Sequence, residues 1–518
     1  MNTQTLALGE TDPQTIAALF SNAVARCGSR EALVADGARL SFVELDLRTN
    51  QLAAELERRG AGKDTIVGAL LQDGLAMVEL TIACAKLGST LLAMNWRLSA
   101  PELRYILDDA QPEWCLVSRE FEALYGAAGG EHPLLVDTGN PGGALTALGV
   151  APAAQKQYAP AQPVRRSDRW YMLYTSGTTG RPKGCQHHQG GYYINVLSWL
   201  SRLGLRESDC LLALNPLFHV HGFATLLCVL LRGGKTVIPP PGLEPEALLR
   251  LTAKEKVTFQ PLWYSAPAYL EALQSFQEPL SLRLMITAGG AIPAEHVRYL
   301  ADVLNIEMTF IYGQTEAGCW VTELGLEEQL ERPSSCGKAM PHLQTKIVDD
   351  DGNSLATGEV GELLVKGETI TLGYHQLPEA TAETIVDGWL HTGDLFYQDE
   401  DGYLYLAGRK KELIKTGGEN VYPIEVDAVL SAHPGIQDAA VVGVPDPTWG
   451  EAVKAFIVLT PGTELSRQEI VAWCREHIAG FKRPRYIEFA NEIPRDFNMK
   501  IQRRRLAERE TTAEQAVD

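Results

Sequence analysis

The chain has 518 residues, of which 45% are hydrophobic and 21% are charged, with 46 Lys and Arg against 65 Asp and Glu. This is the composition of a globular protein, so a chain that is mainly disordered is excluded. The net charge of −19 disfavours binding to nucleic acid, because the phosphate backbone rewards positive charge. Length alone predicts about three domains, or one large domain with a smaller one.

The cysteine pattern predicts reduced thiols and a cytoplasmic protein. Nine cysteines include no CxxC pair and no Cys/His set at the spacing of a zinc site. The N-terminal segment lacks the basic and apolar regions of a secretory signal. The longest apolar stretch, 223–231, is far shorter than the ~20 residues that span a bilayer, so we expect no membrane span.

Helix and strand patterns alternate in the first part of the chain. Ser41 and Glu44 form the sequence of a capping box, which predicts the start of a helix. Apolar runs at 65–71 and 91–94 predict buried strands on either side of a helix at 75–88. Alternation at this spacing predicts parallel sheets covered by helices. The stretch 126–163, rich in Ala, Gly and Pro, is predicted to be surface connection.

The pattern changes twice further along the chain. Strand patterns continue at 170–174, 236–239, 257–260, 284–287 and 308–312. From 335 to 406, short strands and turns predict a small β subdomain. After Gly408 the sequence predicts a compact α+β unit. Its predicted elements are helices at 423–432 and 466–477 and strands at 438–444 and 453–459.

The strongest local signal is the loop 174–184, Tyr-Thr-Ser-Gly-Thr-Thr-Gly-Arg-Pro-Lys-Gly. Its backbone N–H groups and hydroxyls are suited to surround phosphate oxygens, and Lys183 adds a positive charge. It is not a Walker A loop, because Gly184 follows the lysine where Ser or Thr would hold magnesium. Pro182 holds Arg181 extended, so we predict that the loop does not open a helix.

With this loop, the sequence resembles the AMP-forming adenylating superfamily, which includes acyl- and aryl-CoA synthetases, carrier-protein adenylation domains and firefly luciferase. Its further motifs follow in order at 215–219, 288–291, 312–316, 388–394 and 408–420, with a late lysine at Lys500. The resemblance runs from Asp12 to Leu506. Met499 stands before this lysine, where the family usually has glycine.

The alternation and the resemblance together imply an α/β fold. A large N-terminal domain, 1–408, is expected to contain two doubly wound sheets and a small β-barrel at about 335–408. A mobile α+β domain, 409–518, is expected to close over the site, with its hinge near Lys411.

The resemblance also implies the nucleotide site. Both reactants are anions, so the site must neutralise charge before they meet. Glu316 and Thr175 resemble the family's magnesium contacts, and magnesium prefers oxygen ligands. The implied catalytic residues are Lys500, Glu316, His219 and Thr175. The implied ATP- and AMP-binding residues are Thr175, Ser176, Gly177, Thr178, Thr179, Gly180, Lys183, Gly289, Gly290, Ala291, Tyr312, Gly313, Thr315, Asp394 and Arg409.

The acyl and CoA sites are assigned in the same way. The implied CoA-binding residues are Arg97, Gly417, Gly418, Trp449, Phe481 and Arg483. The implied acyl pocket consists of His219, His221, Tyr264, Ala288, Ile311, Gly313, Gly318 and Cys319. This mixture of apolar and polar groups favours an aromatic or medium-sized aliphatic acid. The basic run 503–505 is predicted to be a solvated helix face.

The resemblance therefore implies an ATP-dependent, AMP-forming carboxylic acid:CoA ligase. Its cofactors would be ATP, Mg²⁺ and coenzyme A, and its partner a small carboxylic acid. The alternative is an adenylating enzyme that loads an acyl or aminoacyl group onto a carrier protein. The possibility that the protein forms a homodimer is also left open. A non-catalytic nucleotide-binding protein is disfavoured, because Lys500, Glu316 and Asp394 are all present.

Overall fold

A computed structural model describes residues 12–151, 158–175, 181–262, 267–288, 294–495, 500–512 and 515–517. The chain divides into two packed units. The first consists of Met1–Pro333, Gly337–Gln344 and Val365–Leu390, and the second of Ser334–Cys336, Thr345–Leu364 and His391–Asp518. The two units are defined by their internal packing, which does not test the domain boundary at 408 or the hinge near Lys411. Both therefore remain predictions.

Helices and strands alternate as the sequence predicts. The helices are α1 (Ile16–Cys27), α2 (Phe42–Arg58), α3 (Leu75–Leu87), α4 (Ala100–Ala110), α5 (Glu122–Ala127), α6 (Gly143–Ala147), α7 (Gln189–Arg202), α8 (Val220–Arg232), α9 (Pro245–Glu255), α10 (Pro267–Ser275), α11 (Ala294–Arg298), α12 (Leu326–Glu331), α13 (Pro378–Thr384), α14 (Pro423–Ser431), α15 (Arg467–His477) and α16 (Arg503–Ala507). The predicted capping box is present, because Ser41 Oγ accepts from Glu44 N and the Glu44 carboxylate accepts from Ser41 N.

The strands are β1 (Glu31–Ala35), β2 (Ala38–Ser41), β3 (Ile66–Leu70), β4 (Thr90–Ala93), β5 (Trp114–Ser118), β6 (Leu134–Val136), β7 (Arg169–Thr175), β8 (Lys183–His188), β9 (Cys210–Leu212), β10 (Lys235–Val237), β11 (Phe259–Pro261), β12 (Leu284–Ala288), β13 (Glu307–Tyr312), β14 (Thr322–Leu324), β15 (Lys338–Ala339), β16 (Gln344–Val348), β17 (Gly361–Lys366), β18 (Gly373–Tyr374), β19 (Ile385–Val386), β20 (Trp389–Gln398), β21 (Leu404–Arg409), β22 (Ile414–Thr416), β23 (Glu419–Val421), β24 (Ile436–Asp446), β25 (Gly450–Leu459) and β26 (Tyr486–Phe489).

Two large sheets organise the first unit. A nine-stranded sheet has the order β15-β14-β13-β12-β11-β9-β10-β1-β2, and its central strands from β13 to β1 run parallel. A seven-stranded sheet has the order β18-β8-β7-β4-β3-β5-β6, with β7 to β6 parallel and β8 and β18 antiparallel at one edge. The predicted α/β class is confirmed.

Helix α3 is buried along its whole length, so its two charged side chains need partners in the interior. The Glu79 carboxylate pairs with Arg48 of α2 and accepts a hydrogen bond from Ala144 N at 2.7 Å. Lys86 Nζ donates to Asp46 Oδ1 and to Asn50 Oδ1, both at 2.6 Å. Burial lowers the pKa of Lys86. These bonds attach α2 and α6 to α3.

The prediction that 126–163 is only surface connection is wrong. The stretch contains β6 and α6, and Ala144 and Leu145 of α6 are buried. Gly143 has φ +58°, and a Cβ there would lie 2.3 Å from Glu79 Oε2. The small residues of this stretch therefore allow a close approach to a buried carboxylate.

The second unit also contains two sheets. In one, β16, β17 and β20 are adjacent in that order and β21 pairs with β20, which corresponds to the predicted β subdomain. The other has the order β23-β22-β25-β24, with β26 parallel to β25. Helices α14 and α15 pack on this sheet through a shared apolar core, which forms the predicted α+β unit. Its buried residues include Val426, Leu430, Ile470, Val471 and Cys474.

A buried lysine is one of the groups that attach the C-terminal tail to this sheet. Lys454 of β25 is fully buried, and its Nζ lies 3.0 Å from Glu488 Oε2 of β26. The same Nζ donates to Glu510 O at 2.8 Å and to Thr511 Oγ1 at 3.4 Å. In the described part of the chain, no helix is both long and apolar enough to cross a membrane.

We expect Glu79→Gln to lower the free energy of unfolding by about 3–5 kcal/mol, because Arg48 would keep a buried charge without a counterion. Thermal and urea unfolding measure the change. Glu246→Gln, which removes an exposed pair with Arg250, is the matched control and should cost about 1 kcal/mol or less. The double variant Arg48→Met/Glu79→Leu should recover part of the loss. Equal effects of the two Gln variants would contradict the role given to this pair.

Candidate active site

The predicted phosphate loop connects the two strands of a hairpin. Strand β7 ends at Thr175 and β8 begins at Lys183, and these two residues are direct partners in the antiparallel ladder. Lys183 therefore opens a strand, which confirms that the loop does not open a helix. The predicted loop residues Ser176, Gly177, Thr178, Thr179 and Gly180 lie outside the described residues.

A half-buried carboxylate lies beside the end of this hairpin. Glu316 follows β13 in a short 3₁₀ turn, Thr315–Ala317. Its Oε1 accepts hydrogen bonds from Thr175 Oγ1 at 3.3 Å and from the Tyr374 hydroxyl at 3.0 Å. Lys183 Nζ lies 4.6 Å from the centre of the Tyr374 ring. We call Thr175, Lys183, Glu316 and Tyr374 the carboxylate cluster.

Tyr374 belongs to none of the sequence motifs, and the analysis of the sequence missed it. Its strand β18 pairs with β8, so tertiary structure alone places the hydroxyl on Glu316. Burial and the nearby Glu316 carboxylate raise the pKa of Tyr374. The phenol therefore stays protonated at neutral pH and serves as a donor.

The carboxylate cluster offers oxygen donors suited to Mg²⁺. Carboxylate and hydroxyl oxygens are ligands that Mg²⁺ accepts together with phosphate oxygens. Within the described ranges, no group of three or more His, Cys, Asp and Glu side chains is arranged to hold a metal ion.

The segment after β13 turns sharply back on itself. A Cβ on Gly313 would lie 1.5 Å from Cys319 O, and a Cβ on Gly318 would lie 2.6 Å from Thr369 O. Cys319 N donates to Gln314 O at 3.1 Å, and Cys319 has φ +105°. Gly313 and Gly318 must therefore be glycine because the backbone path leaves no room for a Cβ, whether or not they also line the predicted pocket. Tyr312 directly precedes this turn, and Thr315 lies within it.

The strand ends beside this turn hold two more residues of the predicted pocket. Ala288 of β12 and Ile311 of β13 are direct partners in the parallel ladder. The predicted adenine and pocket residues Gly289, Gly290, Ala291 and Tyr264 lie outside the described residues.

His219 caps the N-terminus of α8. Its Nδ1 accepts a hydrogen bond from His221 N at 3.3 Å. The preceding motif is held by Asp73, whose Oδ1 accepts from Leu217 N at 2.8 Å. Burial raises the pKa of Asp73 to about 6. His221 is buried, and burial lowers its pKa to about 4.

Arg97 lies against the same motif. Its exposed guanidinium carbon is 4.7 Å from the centre of the Trp96 ring and 6.0 Å from that of the Phe218 ring. The predicted CoA contact Arg97 is therefore the neighbour of the segment that ends at His219.

In the second unit, Asp394 and Arg409 face each other on β20 and β21. Arg409 Nε lies 3.2 Å from Asp394 Oδ1, and the two residues are direct partners in the ladder. Asp394 is buried. A carboxylate and a guanidinium side by side suit the hydroxyl groups of a ribose. Lys411 follows in an exposed 3₁₀ turn, Lys410–Glu412.

The prediction that the run 503–505 is a solvated helix face is wrong for Arg503. Its guanidinium is largely withdrawn from solvent: Nε lies 3.0 Å from Glu412 Oε2, another nitrogen pairs with Asp427, and a third donates to Val441 O at 2.8 Å. These bonds attach the turn that carries Lys411 to α14 and β24. Arg504 and Arg505 are exposed, as predicted. Lys500 is also exposed, next to the bridge between Arg495 and Ile501.

The predicted CoA residues of this unit lie around the turn between β22 and β23. Gly417 and Gly418 have φ +59° and +86°, and a Cβ on Gly417 would lie 2.6 Å from the Trp449 ring. Gly417 N donates to Trp449 O at 2.9 Å. The Arg485 guanidinium, which the sequence analysis missed, lies 4.5 Å from the centre of the Trp449 ring.

Phe481 belongs to the turn Gly480–Lys482, which packs against β23. Trp449 is 40% exposed and Phe481 38% exposed, so both rings present apolar surface to solvent. Arg483 follows Phe481, and its Nε donates to Gly480 O at 3.2 Å. Each exposed ring thus has a cation beside it: Arg485 lies against Trp449, and Lys482 Nζ is 5.7 Å from the centre of the Phe481 ring.

The family comparison agrees with this geometry. The model of the AMP-binding enzyme family matches residues 20–375, and that of the AMP-binding enzyme C-terminal domain matches residues 425–500. The chain belongs to the AMP-binding enzyme family.

Relatives with assigned activities cover nearly the whole chain. A feruloyl-CoA synthase from Amycolatopsis sp. is 33% identical over 90% of this chain and 93% of its own. A 2-succinylbenzoate–CoA ligase from Geobacillus kaustophilus is 34% identical over 91% of this chain and 94% of its own. The o-succinylbenzoate CoA synthetase of Bacillus subtilis, solved with its acyl-adenylate, is 28% identical and has a TM-score of 0.82 over 95% of this chain and 98% of its own.

The same Bacillus subtilis enzyme has been solved with ATP and a magnesium ion. Family membership and these relatives support an ATP-dependent, AMP-forming acid–CoA ligase that acts on a small carboxylic acid. They also support ATP, Mg²⁺ and coenzyme A as its cofactors.

We expect Tyr374→Phe to raise the apparent dissociation constant for Mg²⁺ about threefold to tenfold, because Glu316 would lose one of the donors that orient it. Pyrophosphate release measured against Mg²⁺ concentration at saturating ATP tests this. Tyr397→Phe, on strand β20 and stacked on Tyr405, is the control. An unchanged Mg²⁺ dependence in Tyr374→Phe would contradict the orienting role.

Proposed function

We propose that the enzyme activates an aromatic or medium-sized aliphatic carboxylic acid and transfers it to coenzyme A. A carboxylate oxygen attacks the α-phosphorus of ATP, and the bond to the leaving pyrophosphate breaks. The thiol of CoA then attacks the acyl carbon. The C–S bond forms, the bond to AMP breaks, and the thiol proton is released.

The observation that supports this proposal most directly is the carboxylate cluster at the end of the β7–β8 hairpin. Thr175 and Lys183 flank the loop suited to phosphate, and Glu316 would hold Mg²⁺. Developing charge on the phosphates would be stabilised by Lys183 and by Lys500. Asp394 and Arg409 would hold the ribose.

The second step would need a different face of the C-terminal part of the chain. Rotation about a hinge near Lys411 would remove Lys500 from the reacting groups and bring Gly417 and Gly418 to the pantetheine arm. Trp449, Phe481, Arg483 and Arg97 would contact the rest of CoA. The exposed Trp449 and Phe481 rings, and the Arg485 guanidinium beside Trp449, support this assignment.

The class of acid is inferred from two sources. Feruloyl-CoA synthase and 2-succinylbenzoate–CoA ligase, both named for aromatic acids, are relatives at similar identity. In this chain the predicted pocket combines the buried Ile311 and Cys319 with the buried His221. We therefore favour an aromatic acid over an aliphatic one.

The free thiols support a reducing compartment. All nine cysteines are buried and free, and burial raises the pKa of Cys115 to about 11 and that of Cys336 to about 12. We propose a cytoplasmic location on this ground. Sedimentation velocity distinguishes a single chain from the homodimer that the sequence leaves open.

The decisive experiment measures whether turnover depends on CoA. A panel of aromatic and aliphatic acids is incubated with the protein, Mg²⁺ and ATP, with and without CoA, and AMP and pyrophosphate are quantified. CoA-dependent formation of AMP and a thioester is the expected result. Stoichiometric pyrophosphate that CoA does not affect would favour the carrier-protein alternative. ADP as the nucleotide product would overturn the adenylate mechanism.

We expect Lys500→Ala to slow adenylation by a factor on the order of 10²–10³, because a cation at developing charge is worth a few kcal/mol. Thioester formation from added acyl-adenylate and CoA should change little, because that step does not need this lysine. Arg504→Ala, an exposed arginine on α16, is the control. Equal loss in both half-reactions would contradict the role given to Lys500.

A further inference from the structure

Three buried side chains, one on α7, one in the segment before α8 and one in the first turn of α8, each present a polar atom without a hydrogen-bond partner among the described residues. The atoms are Trp199 Nε1, Asn215 Oδ1 and His221 Nε2. The exposed fractions of these residues are 0%, 2% and 5%. Buried polar atoms are nearly always paired in native proteins, so a group of three at one place indicates a site for an external partner.

The hydrogen bond between two of these residues fixes the position of a proton. Asn215 Nδ2 lies 3.0 Å from His221 Nδ1, and an amide nitrogen only donates. With the Asn215 amide in this orientation, His221 Nδ1 is the acceptor and the proton of the neutral ring is on Nε2. Burial lowers the pKa of His221 to about 4, so the ring is neutral at pH 7. In this tautomer His221 Nε2–H is a donor.

Trp199 supplies a second donor beside it. The centres of the Trp199 and His221 rings are 6.1 Å apart, and an indole nitrogen only donates. The nearby Trp320 makes the contrast clear, because its Nε1 donates to Thr322 O at 2.7 Å. The indole N–H of Trp320 thus has an acceptor within the protein, whereas that of Trp199 has none among the described residues.

The cluster of Trp199, Asn215 and His221 adjoins the predicted acyl pocket. Trp199 packs edge-on against Trp320 with ring centres 4.3 Å apart, and Trp320 directly follows Cys319. One turn earlier on α7, Asn195 donates to Gly318 O. Trp199 thus lies beside the segment that holds Gly318 and Cys319, which the resemblance assigns to the pocket for the acid, and His221 lies next to Trp199.

We propose that His221 is a specificity-determining residue whose Nε2–H donates a hydrogen bond to a neutral oxygen on the acyl group, with Trp199 Nε1–H as a second donor. The preferred acids are aromatic acids that carry an ether or carbonyl oxygen. Neutral donors favour a neutral acceptor, because a buried second carboxylate would need a counterion. This inference rests on the proposed function and names the class of substrate within it.

The test uses pairs of acids that differ only in one oxygen. 4-Methoxybenzoate is compared with 4-ethylbenzoate, and 3-methoxybenzoate with 3-ethylbenzoate, by kcat/KM for CoA-dependent pyrophosphate release. The enzyme should prefer the methoxy acid of at least one pair by about tenfold, because an unmade hydrogen bond to a buried donor is costly. His221→Phe should bring that ratio close to one.

Trp199→Phe should lower the same ratio partly and keeps the test available if His221→Phe does not fold. Trp473→Phe is the matched control: it removes an indole N–H that already donates to Val429 O at 2.8 Å, so the ratio should stay that of the unchanged enzyme. A ratio near one in the unchanged enzyme, or one that survives both His221→Phe and Trp199→Phe, overturns the inference and assigns the two donors to bound water.

Failure of this inference is distinguishable from failure of the proposed function. If no acid gives CoA-dependent AMP, the proposed function fails, and calorimetric titration of the protein with the same acid pairs tests the donors without turnover. Preferential binding of the methoxy acid that is lost in His221→Phe supports the inference in that case. Equal binding of the two acids of each pair overturns it.

Discussion

The candidate site depends on how the Glu316 carboxylate is held. Thr175 from β7 and Tyr374 from β18 both donate to one of its oxygens, so two strands of the seven-stranded sheet orient a side chain from the end of the other large sheet. Both donors are neutral, and they fix the carboxylate without cancelling its charge. That charge stays available to a cation, while Lys183 provides the opposite sign for phosphate. The register of the β7–β8 hairpin pairs Thr175 with Lys183, so it positions both the hydroxyl that donates to Glu316 and the cation for phosphate.

Sequence reasoning succeeded where the signal was local. The Ser41–Glu44 capping box and the apolar strands beside α3 are encoded within a few residues, and the structure has them. Thr175 ends β7 and Glu316 follows β13, as the apolar runs before them predict, because chemistry-bearing residues in parallel sheets follow strand ends. Glu316 and Thr175 could therefore be chosen before their distance was known.

Contacts between distant segments were not predictable in this way. Tyr374 reaches Glu316 only because β18 pairs with β8, and a short Gly-Tyr strand has no signature of its own. Arg503 and Arg504 are indistinguishable as sequence, yet one is buried on Glu412 and Asp427 and the other is in solvent. Gly143 appeared to belong to a loop, and only the position of Glu79 explains why it must be small.

The contacts of Lys454 matter when the C-terminal tail is shortened or fused to a tag. Two of the acceptors of its buried ammonium, Glu510 O and Thr511 Oγ1, belong to the tail that follows α16. The tail therefore covers a charged group in the protein interior, although its polar sequence does not suggest a structural role. An exopeptidase that trimmed the chain back to Ala507 would leave that ammonium with Glu488 alone. Affinity tags and fluorescent fusions should therefore be joined to the far end of the tail through a flexible spacer.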